Sequence, residues 1–274
     1  MAEIAGIFAV SHTPVMTNMR DAPAPDRRDA ALRQFERVGQ EIAALQPDAL
    51  ILVSDDHLHN FFLNNLPSFC IGIAPSYASP MEGWLKIPKQ ELPGDPALGA
   101  HLLRALMNSG FDPSFSMELT LDHGMMTPLD LAGIAGTFPI VPILVNTVQP
   151  PMPTMRRCVS FGRALRDAIK AYPTGKVAVL ATGGLSHDVG TPRMGQLNET
   201  FDREFLLALE GGGIDAAADY AEGSVNTAGN GAEEVRNWLV AQGIADGAPF
   251  TTYHYDGISA WYTGIGLGTW QRAA

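Results

Sequence analysis

The sequence predicts an α/β protein: one layered domain over residues 1–274, with a mostly parallel or mixed central sheet flanked by helices. Three observations support this prediction. Short, almost continuously apolar runs alternate with longer amphipathic segments. A chain of 274 residues can bury a large core without disulfides or a structural metal. Glycine and proline are spread along the sequence and concentrate in no linker, so we place no domain boundary.

Five apolar runs are predicted as strands. Each is short and nearly continuous in hydrophobicity, which is typical of strands that helices cover on both faces of a sheet. The runs are Ile4–Val10, Ala49–Val53, Phe69–Ala74, Ile140–Val145 and Val177–Ala181.

Five amphipathic segments between and after these runs are predicted as helices. They are Arg27–Leu45, Pro96–Ser109, Met155–Ala171, Asn198–Leu209 and Ala232–Gln242. In the first of them, apolar residues from Ala31 to Leu45 recur at spacings of three and four, as in a helix with one buried stripe. Gly110 follows the second segment where a left-handed cap is expected, and Gly211–Gly213 is predicted to stop the fourth.

The composition argues against several classes of protein. The chain is 46% hydrophobic and 17% charged, which does not fit disorder. Its net charge of −11 disfavours nucleic acid and anionic membranes as partners, and no apolar run approaches the ~20 residues that span a bilayer. The first residues lack signal-peptide features, and Cys70 and Cys158 lie in apolar surroundings without C-x-x-C spacing. We therefore expect a cytoplasmic protein with reduced, buried cysteines.

Three of the seven histidines directly follow predicted strands. His12 follows IFAVS, His57 follows ALILVSDD and His187 follows VAVLATGGLS. Ligands of open α/β sheets bind outside the carboxyl ends of the strands, so these side chains can converge although they are far apart in sequence. His123, in the turn-like segment LTLDHGMM, is a candidate to join them. A histidine in a loop also caps helices or bonds backbone carbonyls, so its position alone does not decide its role.

Carboxylates accompany these histidines. Aspartates stand beside three of them, at positions 55, 56, 122 and 188, where they can fix a histidine tautomer or simply form turns and helix caps. Glu233 and Glu234 open a predicted helix, a position that the helix dipole favours, and one of the two could point inward to complete a metal site. Two histidines and one carboxylate suit non-haem Fe(II) oxygen chemistry and also zinc hydrolysis, and composition does not choose between them.

Seven segments form a set of motifs in order along the chain. They are S-H-T-P at Ser11–Pro14, D-H-L-H-N-F-F at Asp56–Phe62, L-P-S-F-C-I-G at Leu66–Gly72, E-G-W at Glu82–Trp84, L-D-H-G at Leu121–Gly124, G-G-L-S-H-D at Gly183–Asp188 and A-G-N-G-A-E-E-V-R-N-W-L at Ala228–Leu239. This set resembles the class III extradiol ring-cleavage dioxygenases, and the resemblance covers most of the chain.

The resemblance implies an iron site. His12 and His57 match the two iron-ligating histidines of that family, and Glu234 matches the ligating carboxylate, so Fe(II) is the implied cofactor. His187 resembles the acid/base histidine, and His123 resembles the other active-site histidine, which flanks the substrate.

The resemblance leaves other polar residues without a firm role. His59 has no counterpart in the pattern and is a candidate to hydrogen-bond the substrate, whereas His101 and His254 are expected to be structural. A carboxylated substrate needs a cation or another donor near the pocket. The candidate cations are Lys86, Lys89, Arg193 and Arg236.

The resemblance also implies a reaction and its partners. A catechol-like or related dihydroxylated aromatic ring would be opened beside its two oxygens with O2, in the breakdown of aromatic compounds, while His187 takes and returns a proton. The expected partners are the small aromatic substrate, O2 and further copies of the chain in a homo-oligomer, and some members of the family carry a small helical accessory subunit. Two alternatives stay open: a zinc-dependent hydrolase, and a non-catalytic binding relative on the same fold.

Overall fold

A central β-sheet organises the molecule in the computed structural model, which describes residues 1–270. The strands, numbered along the chain, are β1 (Glu3–Val10), β2 (Ala49–Asp55), β3 (Phe69–Gly72), β4 (Ser76–Ser79), β5 (Gln90–Pro93), β6 (Ser114–Ser116), β7 (Ile140–Val145), β8 (Lys176–Thr182), β9 (Phe250–Ile258) and β10 (Thr263–Trp270). Eight of them form one sheet in the order β6-β3-β7-β2-β8-β1-β10-β9, and β4 and β5 form a separate two-stranded ribbon.

Helices lie between the strands and cover both faces of the sheet. They are α1 (Val15–Asn18), α2 (Pro25–Leu45), α3 (Pro96–Asn108), α4 (His123–Leu131), α5 (Met155–Ala171), α6 (Glu199–Glu210), α7 (Ala216–Ser224) and α8 (Val235–Ala245). Three short 3-10 turns occur at Val225–Thr227, Asn230–Glu234 and Ser259–Trp261.

The four middle strands of the sheet, β7, β2, β8 and β1, are parallel to one another. Their carboxyl ends therefore meet at one edge of the sheet, where open α/β sheets bind ligands. Antiparallel pairing begins at the flanks, with β3 against β7 and β10 against β1. The predicted fold class, an α/β architecture with a mixed central sheet, is confirmed.

Two apolar layers fill the space between the sheet and its helices, one on each face. One layer includes buried side chains of α3, α5, α6 and α8, and the other includes those of α2 and α4. Helices α5 and α8 approach each other closely at Gly162 and Gly243. A Cβ on either glycine would overlap a carbonyl oxygen of the facing helix, that of Val240 or Val159. This contact fixes α8, the helix that begins directly after Glu234.

The ten elements predicted from apolar patterning are confirmed, with ends shifted by a few residues. The shorter elements β4, β5, β6, α1, α4 and α7 were not predicted. His123, which was predicted to lie in a turn-like segment, begins α4, where Asp122 caps the helix by accepting from the Gly124 N–H.

The C-terminal hairpin β9–β10 was also missed. Glycine is depleted in strands, and β10 contains Gly264, Gly266 and Gly268 at alternate positions. The structure shows why they are there. A Cβ on Gly266 would lie 2.8 Å from Leu185 Cδ1, and one on Gly264 would overlap the carboxylate of Asp202. The glycines make room for neighbours that the local sequence does not reveal.

Two smaller expectations are met. Cys70 and Cys158 are buried and free. Gly110 adopts a left-handed conformation, with φ of 86°, just after the end of α3. Within residues 1–270, none of the helices combines the length and the apolar character that crossing a membrane requires.

Candidate metal centre

The carboxyl ends of three neighbouring strands bring the predicted site residues together. Strand β8 pairs in parallel with β1 on one side and with β2 on the other. His12 lies just after β1, His57 just after β2, and His187 in the loop that follows β8. The 3-10 turn before α8 carries Glu234 into the same space. Topology thus gathers side chains that are far apart in sequence.

Glu234 is the point at which three histidines converge. Its Oε2 lies 3.1 Å from His12 Nε2, and its Oε1 lies 3.7 Å from His57 Nε2 and 3.5 Å from His187 Nε2. His12 Nε2 is buried, yet it has no hydrogen-bond partner of acceptable geometry among the described residues. A buried ring nitrogen without a partner is costly, and a cation held between it and Glu234 would satisfy both groups.

The opposite ring nitrogens of His12 and His57 are held in place by hydrogen bonds. Thr182 Oγ1 donates to Ser54 Oγ at 2.8 Å, so it accepts from His12 Nδ1 at 3.2 Å. His57 Nδ1 donates to Asp122 Oδ2 at 2.8 Å. Burial raises the pKa of Asp122, but the charge and hydrogen bonds of His57 lower it by more, so this carboxylate stays ionised. Burial lowers the pKa of His57, but the charges of Asp55 and Asp122 raise it by more, so a metal that binds at Nε2 would displace a proton. Once Nε2 is deprotonated, both histidines would present its lone pair to the metal.

A second carboxylate, Asp55, lies in the same cluster. Its Oδ2 is 3.4 Å from His57 Nε2, but its oxygens already accept hydrogen bonds from Asn237 and Thr147, each at 3.0 Å. Burial raises the pKa of Asp55, whereas the pKa of Glu234 is well below its usual value because the attraction of His12 and His187 outweighs the effect of burial. Glu234 is therefore the better anionic ligand. Sequence reasoning treated Asp55 only as a neighbour of His57.

Glu82 lies behind the other predicted active-site histidine. It is 4% exposed, and its Oε1 accepts from His123 Nδ1 at 2.5 Å and lies 3.2 Å from His59 Nε2. The ring of His123 lies 4.0 Å from that of His57, centroid to centroid. Burial, followed by the neighbouring His57, lowers the pKa of His123 to about 4, so its imidazole is neutral near pH 7. Glu82 was noticed in the sequence only as part of the E-G-W motif.

His187 is held by its backbone surroundings. Its Nδ1 donates to the carbonyl of Leu185 at 2.9 Å, which leaves Nε2 facing Glu234. A Cβ on Gly231 would overlap the imidazole, and one on Gly184 would lie 2.6 Å from its Cε1. Burial lowers the pKa of His187, but Glu234 and the bond to Leu185 raise it by more, so the net shift is upward.

An exposed aromatic residue stands beside this cluster. The indole of Trp84 lies 6.4 Å from the His123 ring, centroid to centroid, and 58% of the residue is exposed. An indole in this position offers an exposed apolar face beside His123.

The other histidines and the candidate cations have different surroundings. His101 Nε2 bonds the Ala168 carbonyl at 2.9 Å, and His254 lies on β9; neither belongs to a metal-capable group found among the described residues. The four candidate cations are engaged with protein groups. Lys86 bonds Asn18 O, Lys89 bonds Met81 O, Arg193 pairs with Asp188, and Arg236 bonds Pro153 O and pairs with Glu233.

The donor set fits a divalent transition metal. One donor atom each from His12, Asp55, His57 and Glu234 lies within 4.8 Å of the others. Imidazole and carboxylate ligands suit iron and zinc, and two histidines with one carboxylate leave coordination positions open for reactants.

Comparison with known proteins assigns the family. Residues 6–266 match the family described as the catalytic LigB subunit of aromatic ring-opening dioxygenase. The chain belongs to this family. The resemblance inferred from the seven sequence motifs is thereby confirmed, and the match covers every residue of the metal cluster.

Several relatives of this LigB-family chain have similar names. A 2,3-dihydroxyphenylpropionate/2,3-dihydroxicinnamic acid 1,2-dioxygenase from Photorhabdus laumondii is 26% identical, with 95% of each chain covered. A protein of the same name from Burkholderia vietnamiensis is 28% identical, with 94% of each chain covered. An uncharacterized protein from Escherichia coli K12 has a similar structure, with a TM-score of 0.63 over 96% of this chain and 98% of that one; at 16% identity this likeness concerns the fold alone.

Proposed function

We propose that residues 1–274 act as one catalytic domain that opens a catechol-like aromatic ring by Fe(II)-dependent extradiol cleavage with O2. The observation that carries the proposal is the convergence of His12, His57 and Glu234 around an unpartnered, buried His12 Nε2. Family membership supports ring opening as the reaction class.

His12, His57 and Glu234 are the residues that would hold the metal, through Nε2 of each histidine and the carboxylate. Bound Fe(II) supplies open coordination positions and the electron transfer that lets O2 react with an aromatic ring, chemistry that side chains alone lack. Thr182 and Asp122 keep the two histidines in the ligating tautomer. Burial of Glu234 and His12 excludes bulk water from this side of the site.

His187 is the proposed acid/base residue. Its Nδ1 proton is committed to the Leu185 carbonyl, so Nε2 is the atom that accepts a proton from a substrate hydroxyl and later returns it. Nε2 lies 3.5 Å from Glu234 Oε1, so the proton would move beside the metal ligands. Gly184 and Gly231 leave the space that the ring occupies in this orientation.

His123 and His59 are proposed to face the substrate from the opposite side. Both lie against Glu82, and the exposed Trp84 extends this wall outward. The small aromatic substrate would enter between this wall and His187. The shared name of the relatives suggests a 2,3-dihydroxyphenyl compound as the first substrate to assay.

The test is anaerobic loading of the purified protein with Fe(II), followed by oxygen-electrode and absorbance assays. The panel contains 2,3-dihydroxyphenylpropionate, other catechols, gallates, aminophenols and hydroxypyridones. We expect one O2 consumed per ring opened and a new ring-opened chromophore. Glu234→Ala should abolish both iron binding and turnover. Glu36→Ala, a change at an exposed residue of α2, should match the wild type. Preference for zinc together with ester or amide hydrolysis and no O2 uptake would instead establish a zinc hydrolase.

A further inference from the structure

The carboxylate of Glu82 contacts none of the proposed metal ligands, but it lies within hydrogen-bond distance of two other histidines of the site, His123 and His59. We infer that Glu82 is a positioning residue for ring opening, which fixes the Nδ1–H tautomer of His123 and holds His59 against the same wall. The inference rests on the proposed function for its effect on turnover, although the tautomer itself can be observed without turnover.

The hydrogen bonds at Glu82 fall on one oxygen. Oε1 accepts from the backbone N–H of His123 at 3.0 Å and from His123 Nδ1 at 2.5 Å, and His59 Nε2 lies 3.2 Å away. Oε2 is buried and has no partner among the described residues. A buried carboxylate with this pattern accepts from the histidine side chain and backbone at once, so it sets both the position and the rotation of the ring.

The tautomer determines what His123 offers the substrate. A neutral imidazole carries its proton on either nitrogen, and the bond to Glu82 places it on Nδ1. Nε2 is then a hydrogen-bond acceptor that is available to a substrate hydroxyl. One ring nitrogen from each of His12, His57 and His123 lies within 4.8 Å of the others, so the substrate and the proposed ligands meet here. In the other tautomer, His123 would offer a donor in place of this acceptor.

The loop that carries Glu82 is pinned at several points. It connects β4 to β5, and the backbone N–H of Met81 donates to the Leu121 carbonyl at 2.7 Å. Asn18, at the end of α1, donates to the Trp84 carbonyl at 3.1 Å and accepts from the Lys86 N–H at 2.9 Å. These contacts fix the position of the Glu82 carboxylate beside His123.

Two variants separate the hydrogen bond from the side chain as a whole. In Glu82→Gln, the amide oxygen can replace Oε1 as the hydrogen-bond acceptor. The NH2 group would take the position of Oε2, which accepts no hydrogen bond from the described residues. This variant keeps the acceptor for His123, whereas Glu82→Ala removes it. Glu91→Ala, an exposed change on neighbouring β5, is the matched control.

The tautomer is measured by long-range 1H–15N NMR of the zinc-loaded, 15N-histidine-labelled full chain, because zinc is diamagnetic. The His123 signals are assigned from their loss in His123→Gln. We expect the Nδ1–H tautomer in the wild type, in Glu91→Ala and in Glu82→Gln, and Nε2–H or a mixture in Glu82→Ala. In the iron-loaded enzyme, Glu82→Ala should lower kcat roughly 10²-fold with unchanged iron content, and Glu82→Gln should recover most of that loss.

Several results would overturn the inference. If the wild-type spectrum shows the His123 proton on Nε2, this result alone rejects the inference, whether or not any variant folds. An unchanged Nδ1–H tautomer in folded Glu82→Ala would also reject it. The inference would fail as well if the wild type bound a second equivalent of zinc that Glu82→Ala did not bind, since Glu82 would then be a metal ligand. If no aromatic ring is opened by the wild type, the proposed function fails, while the spectra still test the role of Glu82.

Discussion

At the scale of single residues, the surroundings of His187 allow its role in turnover to be tested separately from metal binding. Its ring is held by a backbone carbonyl and two glycines and is not proposed as a metal ligand. We therefore expect His187→Ala to bind iron normally and to turn over about 10²–10⁴-fold more slowly, as for loss of a general acid/base. Iron content by mass spectrometry and kcat by oxygen uptake measure the two effects. The control is His101→Gln, because His101 bonds the Ala168 carbonyl and is not part of the proposed site. Unaltered kcat in His187→Ala would remove this residue from the mechanism.

The sequence predicted those site residues whose position follows from local pattern. His12, His57 and His187 each follow an apolar run, and the end of a parallel strand is where such a run delivers the next side chain. Glu82 shows the limit of this reasoning. It meets His123 across 41 residues of chain, and no local period marks it, because its position comes from a loop packed against α4.

At the scale of elements, Asp202 connects α6 to the loop that carries His187. It accepts from Ser186 N at 2.7 Å and from Tyr255 Oη at 2.8 Å. Burial raises the pKa of Asp202 from 3.8 to about 6, although the hydrogen bonds from Ser186 and Tyr255 lower it in part. The native state thus holds this proton more tightly than the unfolded chain does. The resulting stabilisation is complete below about pH 4 and is lost as the pH rises through 6.

Asp202→Asn should remove this dependence. Between pH 4 and pH 7, the unfolding free energy of the wild type should fall relative to that of the variant, by up to about 3 kcal/mol. Urea unfolding of both proteins at several pH values measures the difference. A difference that stays constant over this range, or that grows in favour of the wild type as the pH rises, would contradict the raised pKa.

The contact between α5 and α8 links packing to the metal site. Gly243→Ala should force the helices apart and cost about 1–3 kcal/mol, because the new Cβ overlaps the Val159 carbonyl. Since α8 begins directly after Glu234, we also expect weaker metal binding. Thermal unfolding and a zinc titration measure both effects. The control is Gly223→Ala in α7, where a Cβ meets nothing within 4 Å and helix propensity should improve. Equal effects of the two substitutions would show that the close contact is unimportant.

The elements that sequence reasoning found and missed differ in one physical respect. The run at β7 is apolar throughout because helices cover both of its faces, so composition alone predicts it. In β10, glycines replace the side chains that would have produced a pattern, since Leu185 and Asp202 fill the space. Because residues from a distant segment fill this space, the sequence of β10 lacks the pattern of side chains that would predict a strand.

At the scale of the whole molecule, the candidate metal centre joins the first strand, the second strand and the last helix. A metal that binds only the folded chain should therefore stabilise all of it, by about 2.7 kcal/mol at a hundred times its Kd. Thermal melts with and without zinc measure this gain. Glu36→Ala should keep it and Glu234→Ala should lose most of it. An equal gain in both variants would place the metal elsewhere.

The position of β1 in the sheet has a consequence for synthesis of the chain. β1 is made first, but its neighbours β8 and β10 come from residues 176–182 and 263–270. Contacts this distant in sequence form slowly, and until β10 leaves the ribosome one edge of β1 stays open to pairing with other chains. A nascent chain therefore carries His12 long before Glu234 exists. The proposed set of ligands is complete only once residue 234 has been synthesised, so metal binding at this centre would follow synthesis of most of the chain.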